Sequence, residues 1–283
     1  MNTRNRAEGW THAKMSGHNN EEIIFTKIKT DGNYRNKLEN RIRDKNKITN
    51  VLVGGLNETK VSDVFGGKTK SKTDLNITWC DGKKSNISIK KSTGGQVYMI
   101  GVTRFISGYE TQFKEKIDPG IKRALELFFG TASDILNILN SEQLFNVNTT
   151  KIKNYEKKKS RLTWTSLQKY DPTLAKDLID WFKFNLRNIV YFCFSRGLAL
   201  NSYNWADYVW YKNEVDEAVD DRLFEINRMA NDLSSPAAQV EVMPGKIGGG
   251  TTIKLPFGFV QWHQGQMQFH HNQEKILAHS KGF

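Results

Sequence analysis

The sequence has little cysteine, little proline, a deficit of acidic residues and no long apolar run. Its 283 residues include 2 cysteines and 5 prolines. Cys80 and Cys193 lie far apart without a CxxC pair, which excludes a disulfide framework and a cysteine-rich zinc site. No stretch approaches the ~20 apolar residues of a membrane span, and the first residues lack the apolar core of a signal peptide. We therefore expect a soluble, cytoplasmic protein without a membrane partner.

The main positive feature is the charge. The chain has 42 Lys+Arg against 30 Asp+Glu, a formal net charge of +12, and 38% of its residues are hydrophobic. A chain of this length buries roughly three quarters of the surface that its unfolded form exposes. A globular protein with such a basic surplus is expected to bind a polyanion.

The N-terminal third predicts a helix followed by a small sheet. After a polar arm that ends at Asn20, apolar residues at helical spacing from Glu21 to Ile28 predict the first helix. Between residues 49 and 103, short β-branched or alternating runs are separated by turn residues. These runs predict a β-meander, with Asp81-Gly82 in or beside its tightest turn.

The rest of the chain predicts helices and then strands. The pattern from about 110 to 228 is mostly helical, and alternation returns between 240 and 269. The acidic residues from Glu214 to Glu225 are interpreted as a solvated helix face that points away from DNA. We predict one α/β domain over 1–283, made of a helix and meander (1–110), a helical region (111–235) and C-terminal strands (236–283).

Three other motifs do not define a catalytic or metal site. Gly66-Gly67-Lys68-Thr69 resembles a phosphate-binding loop, but Ser62 stands where that motif has its first Gly, so an NTPase is not expected. His263, His270 and His271 lack the spaced partners of a metal site. The lysine-rich run 151–161 is either a solvated loop or a phosphate-contacting loop.

The residues that suggest a catalytic site lie in the meander. Side chains alternate along a strand, so Asp74 on one strand can share a face with Ser88 and Lys90 on the next. This is the arrangement that a metal-dependent phosphodiester nuclease needs: the carboxylate binds Mg²⁺, the backbone carbonyl of the middle residue, here Ile89, can be a further oxygen ligand, and the lysine orients or deprotonates an attacking water. The same residue types also occur on the solvated face of ordinary hairpins. The pattern alone leaves two interpretations open, a metal-dependent phosphodiester nuclease and an ordinary solvated hairpin.

These residues resemble the PD-(D/E)XK nucleases, and within them the small type II restriction endonucleases of the MspI-like group. The resemblance extends over nearly the whole chain in short matches. It rests on Asn20-Glu21, on 72–77 for the metal-binding strand, on 86–90 for the triplet strand, on 118–125 with Phe129-Gly130, on Arg196-Gly197, on 206–209, on Thr252-Ile253 and on 267–269. It implies a restriction-endonuclease-like fold, a central mixed β-sheet flanked by helices with a helical region and a small C-terminal sheet.

The resemblance also implies roles for individual residues. Asp74 is expected to bind Mg²⁺, for which Mn²⁺ can substitute, and Lys90 to activate or position water. Glu21 is expected to be a helix-borne acid near the metal. Ser88 stands where most of the superfamily has an acidic residue. Either its hydroxyl binds through a water, or Glu21 or Glu22 supplies the missing charge, or the enzyme is weakened; we favour Glu21.

DNA contacts are expected from two places. The resemblance implies that the glycine-containing segment from Lys91 to Tyr98 approaches the duplex, with Gln96 suited to a base edge and Tyr98 to stacking. The alternative is a plain strand-to-helix turn. Amides and imidazoles of the C-terminal strands suit base reading in a groove, although a packed surface strand has the same composition. The residues predicted there are Lys246, Lys254, Gln261, His263, Gln266 and Gln268.

Together with the resemblance, these residues lead to three hypotheses about function. The first is a Mg²⁺-dependent type II restriction endonuclease that cuts both strands of a short DNA site and leaves 5′-phosphate ends, acting as a monomer or homodimer on double-stranded DNA. The second is a PD-(D/E)XK nuclease of repair or of mobile elements. The third is a DNA-binding module that has lost nuclease activity because Ser88 replaces the usual acidic residue.

Overall fold

The computed structural model describes residues 6–42, 46–54, 60–141, 161–216, 221–243 and 252–283, with side chains from residue 17 onward. The helices in these ranges are α1 (Arg6–Thr30), α2 (Gly32–Ile42), α3 (Val102–Phe113), α4 (Pro119–Phe129), α5 (Ile135–Ser141), α6 (Trp164–Tyr170), α7 (Pro172–Phe184), α8 (Leu186–Val190), α9 (Ile226–Leu233) and α10 (Gln273–Leu277). The strands are β1 (Ile48–Val53), β2 (Lys60–Ser62), β3 (Lys68–Lys70), β4 (Leu75–Trp79), β5 (Lys84–Lys90), β6 (Gly94–Gly101), β7 (Tyr208–Tyr211), β8 (Arg222–Glu225), β9 (Glu241–Met243), β10 (Thr252–Leu255), β11 (Gly258–His263) and β12 (Gln266–Asn272).

A mixed five-stranded sheet has the order β1-β4-β5-β7-β8. β1, β4 and β5 form the antiparallel meander, β7 is parallel to β5, and β8 is antiparallel to β7. The predicted α/β fold with a central mixed sheet is therefore confirmed. So is the tight turn, where the Asp81 carboxylate accepts a 3.0 Å hydrogen bond from the Lys83 amide and Gly82 has a φ of +77°, which favours glycine.

The alternation of the meander builds the core of this sheet. Leu75, Ile77 and Ile87 are fully buried and pack with Ile24 and Ile28 of α1. Burying one such side chain stabilises the fold by about 1.5–3 kcal/mol. Since Ile24 and Ile28 are four residues apart, they lie on one face of α1 and fix that helix against the sheet.

Two predictions about the N-terminal and acidic segments are wrong. In the described residues α1 begins at Arg6, so the chain from Arg6 to Asn20 is helical and not an arm. The segment before α9 holds the strands β7 and β8 instead of continuing the helical region. Val209, Trp210 and Tyr211 are all buried, as expected for a short strand covered on both faces, and such a run has no period-2 signal.

A second five-stranded sheet has the order β6-β12-β11-β10-β9 and is antiparallel throughout. The predicted C-terminal strands are confirmed, but the sheet also includes β6. The segment from Lys91 to Tyr98, predicted as a loop, is irregular only over residues 91–93. One face is apolar: Ile253, Val260, Met267 and Phe269 are fully buried.

The contacts divide the chain into two compact units. The first consists of residues 1–93, 194–229 and 281–283, and the second of residues 94–193 and 230–280. Each unit contains one of the five-stranded sheets. The single domain over 1–283 stays a prediction. In the described ranges, no helix is both long and apolar enough to cross a membrane.

Candidate active site and nucleic-acid interface

The pairing of β4 with β5 brings Asp74, Ser88 and Lys90 together. Leu75 lies opposite Ile87, which places Asp74, the residue before β4, beside Ser88. The Ser88 hydroxyl donates a 3.2 Å hydrogen bond to Asp74 Oδ2, and Lys90 Nζ donates a 2.9 Å hydrogen bond to Ser88 Oγ. Ser88 thus links the carboxylate to the ammonium group, an arrangement that follows from strand alternation.

The Asp74 carboxylate lies in a partly desolvated, polar environment. Burial raises the pKa of Asp74, while the positive charge of Lys90 and a hydrogen bond from the Ile89 amide act in the opposite direction. That amide donates to Asp74 Oδ2 at 2.6 Å. The Ile89 carbonyl lies 3.4 Å from Lys90 Nζ. The carbonyl and the carboxylate predicted as metal ligands are therefore in the same cluster.

Glu21 of α1 belongs to the same electrostatic cluster. Burial and the negative charge of Asp74 raise the pKa of Glu21 to about 8, and the charge of Lys90 lowers it. The Glu21 side chain is 15% exposed, and its Oε2 lies 3.5 Å from His18 Nδ1. Two mutually repelling acids at one partly buried site favour the protonated form of Glu21, and a bound cation would stabilise both groups as carboxylates.

Asn20, the neighbour of Glu21, holds α1 against the chain that follows β7. It is fully buried, donates a 2.8 Å hydrogen bond to the Lys212 carbonyl and accepts a 2.7 Å hydrogen bond from the Glu214 amide. The Lys212 amide donates to the Lys90 carbonyl at 3.0 Å. We did not predict this function of Asn20. The available signal was a polar residue directly before the apolar run of the helix.

The acidic residues of this segment that the structure describes do not form a solvated helix face, so that interpretation is wrong for them, while Glu217 and Asp220 lie outside the described residues. Glu214 is 8% exposed and pairs with Lys27 and Lys212, and Tyr34 donates a 2.9 Å hydrogen bond to it. Its pKa is lowered by these partners against the effect of burial. The acid instead joins α1 and α2 to the strand β7, since a buried carboxylate requires charged and hydrogen-bonding partners.

The donor set fits a hard divalent cation. Asp74 and Glu21 supply carboxylate oxygens, Ile89 a carbonyl and Ser88 a hydroxyl, and oxygen ligands are those that Mg²⁺ prefers. The part of the chain with described side chains has no group of three or more His, Cys, Asp or Glu that could hold a metal. A cation at this site would therefore depend on backbone, hydroxyl or water oxygens beside the two acids, as Mg²⁺ sites commonly do.

Three predicted base-contacting amides form a row on the second sheet. Gln268 Nε2 donates a 2.6 Å hydrogen bond to Gln96 Oε1, and Gln261 Nε2 donates a 2.9 Å hydrogen bond to Gln268 Oε1. His270 continues the row and stacks on Phe259, with 4.4 Å between the ring centroids. Adjacent strands, β6, β12 and β11, thus present linked amides on the face opposite the apolar core.

The other uncharged predicted contacts differ in their surroundings. Gln266 and His263 face each other across the turn between β11 and β12, and both are half-buried. The Tyr98 ring packs edge-on against Phe192, with 5.4 Å between the centroids. This contact already occupies one edge of the tyrosine, so stacking of Tyr98 on a base stays a prediction.

The predicted DNA-binding lysines are partly neutralised. Lys91 Nζ lies 2.8 Å from Asp216, and Lys254 Nζ lies 2.6 Å from Glu241. Lys246 lies outside the described residues. The run 151–161 lies outside them as well, except for its last residue. Phosphate contacts by Lys91 or Lys254 would have to compete with an existing ion pair.

No known family model matches this sequence, and no curated protein sequence matches it. In the comparison with solved structures, the chain is similar to the restriction endonuclease MspI in complex with its cognate DNA. The two are 13% identical, the alignment covers 94% of this chain and 93% of that chain, and the TM-score is 0.47. At these values the likeness supports no conclusion about function. Any conclusion about function depends on the side chains described above.

Proposed function

We propose that the protein is a Mg²⁺-dependent type II restriction endonuclease that cuts both strands of duplex DNA at a short site and leaves 5′-phosphate ends. The observation that carries this proposal is the cluster of Asp74, Ser88 and Lys90 on β4 and β5, completed by Glu21 from α1. It combines two carboxyl groups that could hold a metal ion with a lysine that could position the attacking water, the groups that metal-assisted phosphodiester hydrolysis uses.

Within this cluster, Asp74, Glu21 and the Ile89 carbonyl would hold Mg²⁺. When bound there, Mg²⁺ would lower the pKa of a water molecule that it holds and would offset the negative charge of the phosphate. Lys90 would orient the attacking water or accept its proton, and its ammonium group is itself oriented by the Ser88 hydroxyl at 2.9 Å. Ser88 contributes no charge, so we assign the second anionic ligand to Glu21, whose pKa is raised by burial and, to a smaller extent, by the negative charge of Asp74.

The second unit would supply base contacts through the row of Gln96, Gln268 and Gln261. A glutamine amide can donate and accept at once, which suits the edge of a base in the major groove. These amides carry no charge and therefore contribute sequence preference, whereas lysines supply most of the affinity through phosphates.

Digestion of unmethylated plasmid with Mg²⁺ tests the proposal. Discrete fragments are expected, and run-off sequencing of their ends gives the site and the cut position. Smears or nicks would indicate a nuclease of repair or mobile elements, and duplex binding with Ca²⁺ but no cleavage with Mg²⁺ would indicate a DNA-binding module.

Matched variants assign the activity to the cluster. Asp74→Ala and Lys90→Ala are each expected to abolish cleavage. Asp81→Ala and Lys84→Ala are the controls, because both side chains are exposed and lie at the turn end of the same two strands. Full Mg²⁺-dependent cleavage by either cluster variant would contradict the assignment.

A further inference from the structure

The first unit contains a small sheet in addition to the mixed one. β2 and β3 pair as an antiparallel ribbon in which Lys60 lies opposite Lys70 and Ser62 opposite Lys68. Its tip is the segment Gly66-Gly67-Lys68-Thr69 with the residues just before it, a motif that is unsuited to an NTPase. We refer to β2, β3 and their connection as the basic ribbon.

The basic ribbon is held in place by its own tip and by the chain near residue 200. The Asp63 carboxylate accepts hydrogen bonds from the amides of Phe65 and Gly67 at 2.9 and 2.8 Å. The Leu200 amide donates a 3.0 Å hydrogen bond to the Ser62 carbonyl, and Asp63 forms a β-bridge with Ala199. These contacts make the ribbon a fixed feature of the surface.

The charges of the basic ribbon oppose folding unless an anion is present. Lys60, Lys68 and Lys70 are all exposed, and like charges directly opposite each other on paired strands are destabilising. The ion pairs between described residues include none of these three lysines. A polyanion that lies along the ribbon would remove the repulsion.

The basic ribbon leads directly to the candidate active site. Lys70 is followed by Ser71, Lys72, Thr73 and Asp74, and four extended residues span at most about 14 Å. This distance corresponds to roughly four base pairs at 3.4 Å each. Lys72 in this link already acts on the site, since its charge lowers the pKa of Asp74.

The geometry points to the basic ribbon as a phosphate-binding element for duplex DNA, with Lys70 within about four base pairs of the bond that is cut. Lys60, Lys68 and Lys70 bind backbone phosphates irrespective of sequence. This inference rests on the proposed nuclease function and adds a DNA contact outside both the catalytic cluster and the row of glutamines.

The test is the salt dependence of binding to a duplex without the recognition site, with Ca²⁺ in place of Mg²⁺. The combined variant Lys60→Gln, Lys68→Gln and Lys70→Gln is expected to lower the slope of log K against log salt by about 2.7, since each phosphate contact contributes ~0.9. The corresponding loss of affinity is up to roughly 500-fold near 0.1 M salt.

The control variant combines Lys37→Gln, Lys169→Gln and Lys183→Gln, which removes three exposed lysines from helices. It is expected to keep the wild-type slope. The melting temperature of the ribbon variant is expected to equal or exceed that of the wild type, because the change removes a repulsion. A binding defect that came from misfolding would lower it instead.

The outcomes separate this inference from the proposed function. If the wild type cleaves and the ribbon variant keeps its slope and affinity, the ribbon inference is overturned and the nuclease function stands. Equal slope changes in ribbon and control variants also overturn it. If the wild type neither cleaves nor binds duplex DNA at any salt concentration, both fail.

Discussion

Asn20 joins the helix that carries Glu21 to the carbonyl of Lys212. The hydrogen bond between the Asn20 amide and that carbonyl is 2.8 Å long, and the Lys212 amide donates to the Lys90 carbonyl at 3.0 Å. Two hydrogen bonds thus connect the residue next to Glu21 with Lys90 on β5. The position of the acid relative to the lysine depends on this connection between two elements that are distant in sequence.

Replacement of Asn20 is therefore expected to impair cleavage without affecting DNA binding. Asn20→Ala leaves partly buried backbone groups of Lys212 and Glu214 without these hydrogen bonds, at a cost of up to about 1 kcal/mol each. We expect single-turnover cleavage to fall by roughly 10- to 100-fold while duplex affinity in Ca²⁺ is unchanged. Asn19→Ala, at an exposed neighbouring position, is the control. Wild-type cleavage by Asn20→Ala would contradict the positioning role.

Glu21 and Ser88 are the two candidates for the second metal ligand beside Asp74, and they predict different losses of activity. If Glu21 supplies the charge, Glu21→Gln removes a ligand and is expected to lower cleavage by at least about 100-fold, or roughly 3 kcal/mol. Ser88→Ala removes only the hydroxyl that links Asp74 and Lys90, with an expected loss of about tenfold. Cleavage rates over a Mg²⁺ titration measure both. A larger loss for Ser88→Ala would assign the ligand to Ser88.

Glu21 also predicts a pH-dependent stability of the metal-free protein. Its folded-state pKa of about 8 lies above the ordinary value of 4.5. The folded state therefore keeps a proton that the unfolded state releases, and stability falls as the pH rises through this window. Glu21→Gln is expected to melt with the wild type near pH 4 and roughly 5 °C above it at pH 8.

Thermal melts in a chelator measure this difference, with the exposed neighbour variant Glu22→Gln as the control. Addition of Mg²⁺ is expected to raise the melting temperature of the wild type more than that of Glu21→Gln, because only the wild type keeps both carboxylates. A Glu21→Gln variant that is less stable than the wild type at pH 8 would exclude an electrostatic penalty at this site.

Disruption of the row of glutamines is expected to lower sequence specificity for DNA without lowering the affinity that comes from phosphate contacts. Gln268 is hydrogen-bonded to both Gln96 and Gln261, so Gln268→Ala releases the whole row. The ratio of cognate to non-cognate affinity is expected to fall by about 10- to 100-fold, or 1–3 kcal/mol. The salt dependence should not change, because an amide releases no counterions. Gln168→Ala on α6 is the control, and an unchanged ratio for Gln268→Ala would remove the row from base recognition.

Local sequence patterns were sufficient for the hairpin that carries the candidate catalytic residues. Alternation placed Asp74, Ser88 and Lys90 on one side and isoleucines on the other, and Asp81-Gly82 fixed the turn. The short buried strand β7 could not be predicted in this way. A strand covered on both faces has no alternating pattern, and its parallel partner β5 is more than 100 residues away in the sequence.

The sequence by itself determined the basic character of the protein, its meander and the placement of Asp74, Ser88 and Lys90 on one side of the hairpin, because charge and strand alternation are local properties. Only the tertiary structure decided that Glu21 lies close enough to Asp74 to share its electrostatics, that Glu214 is a buried partner of α1 and α2, and that the glutamines form a row. Each of these depends on contacts between segments far apart in the chain, which are set by core packing and by the need of buried polar groups for partners.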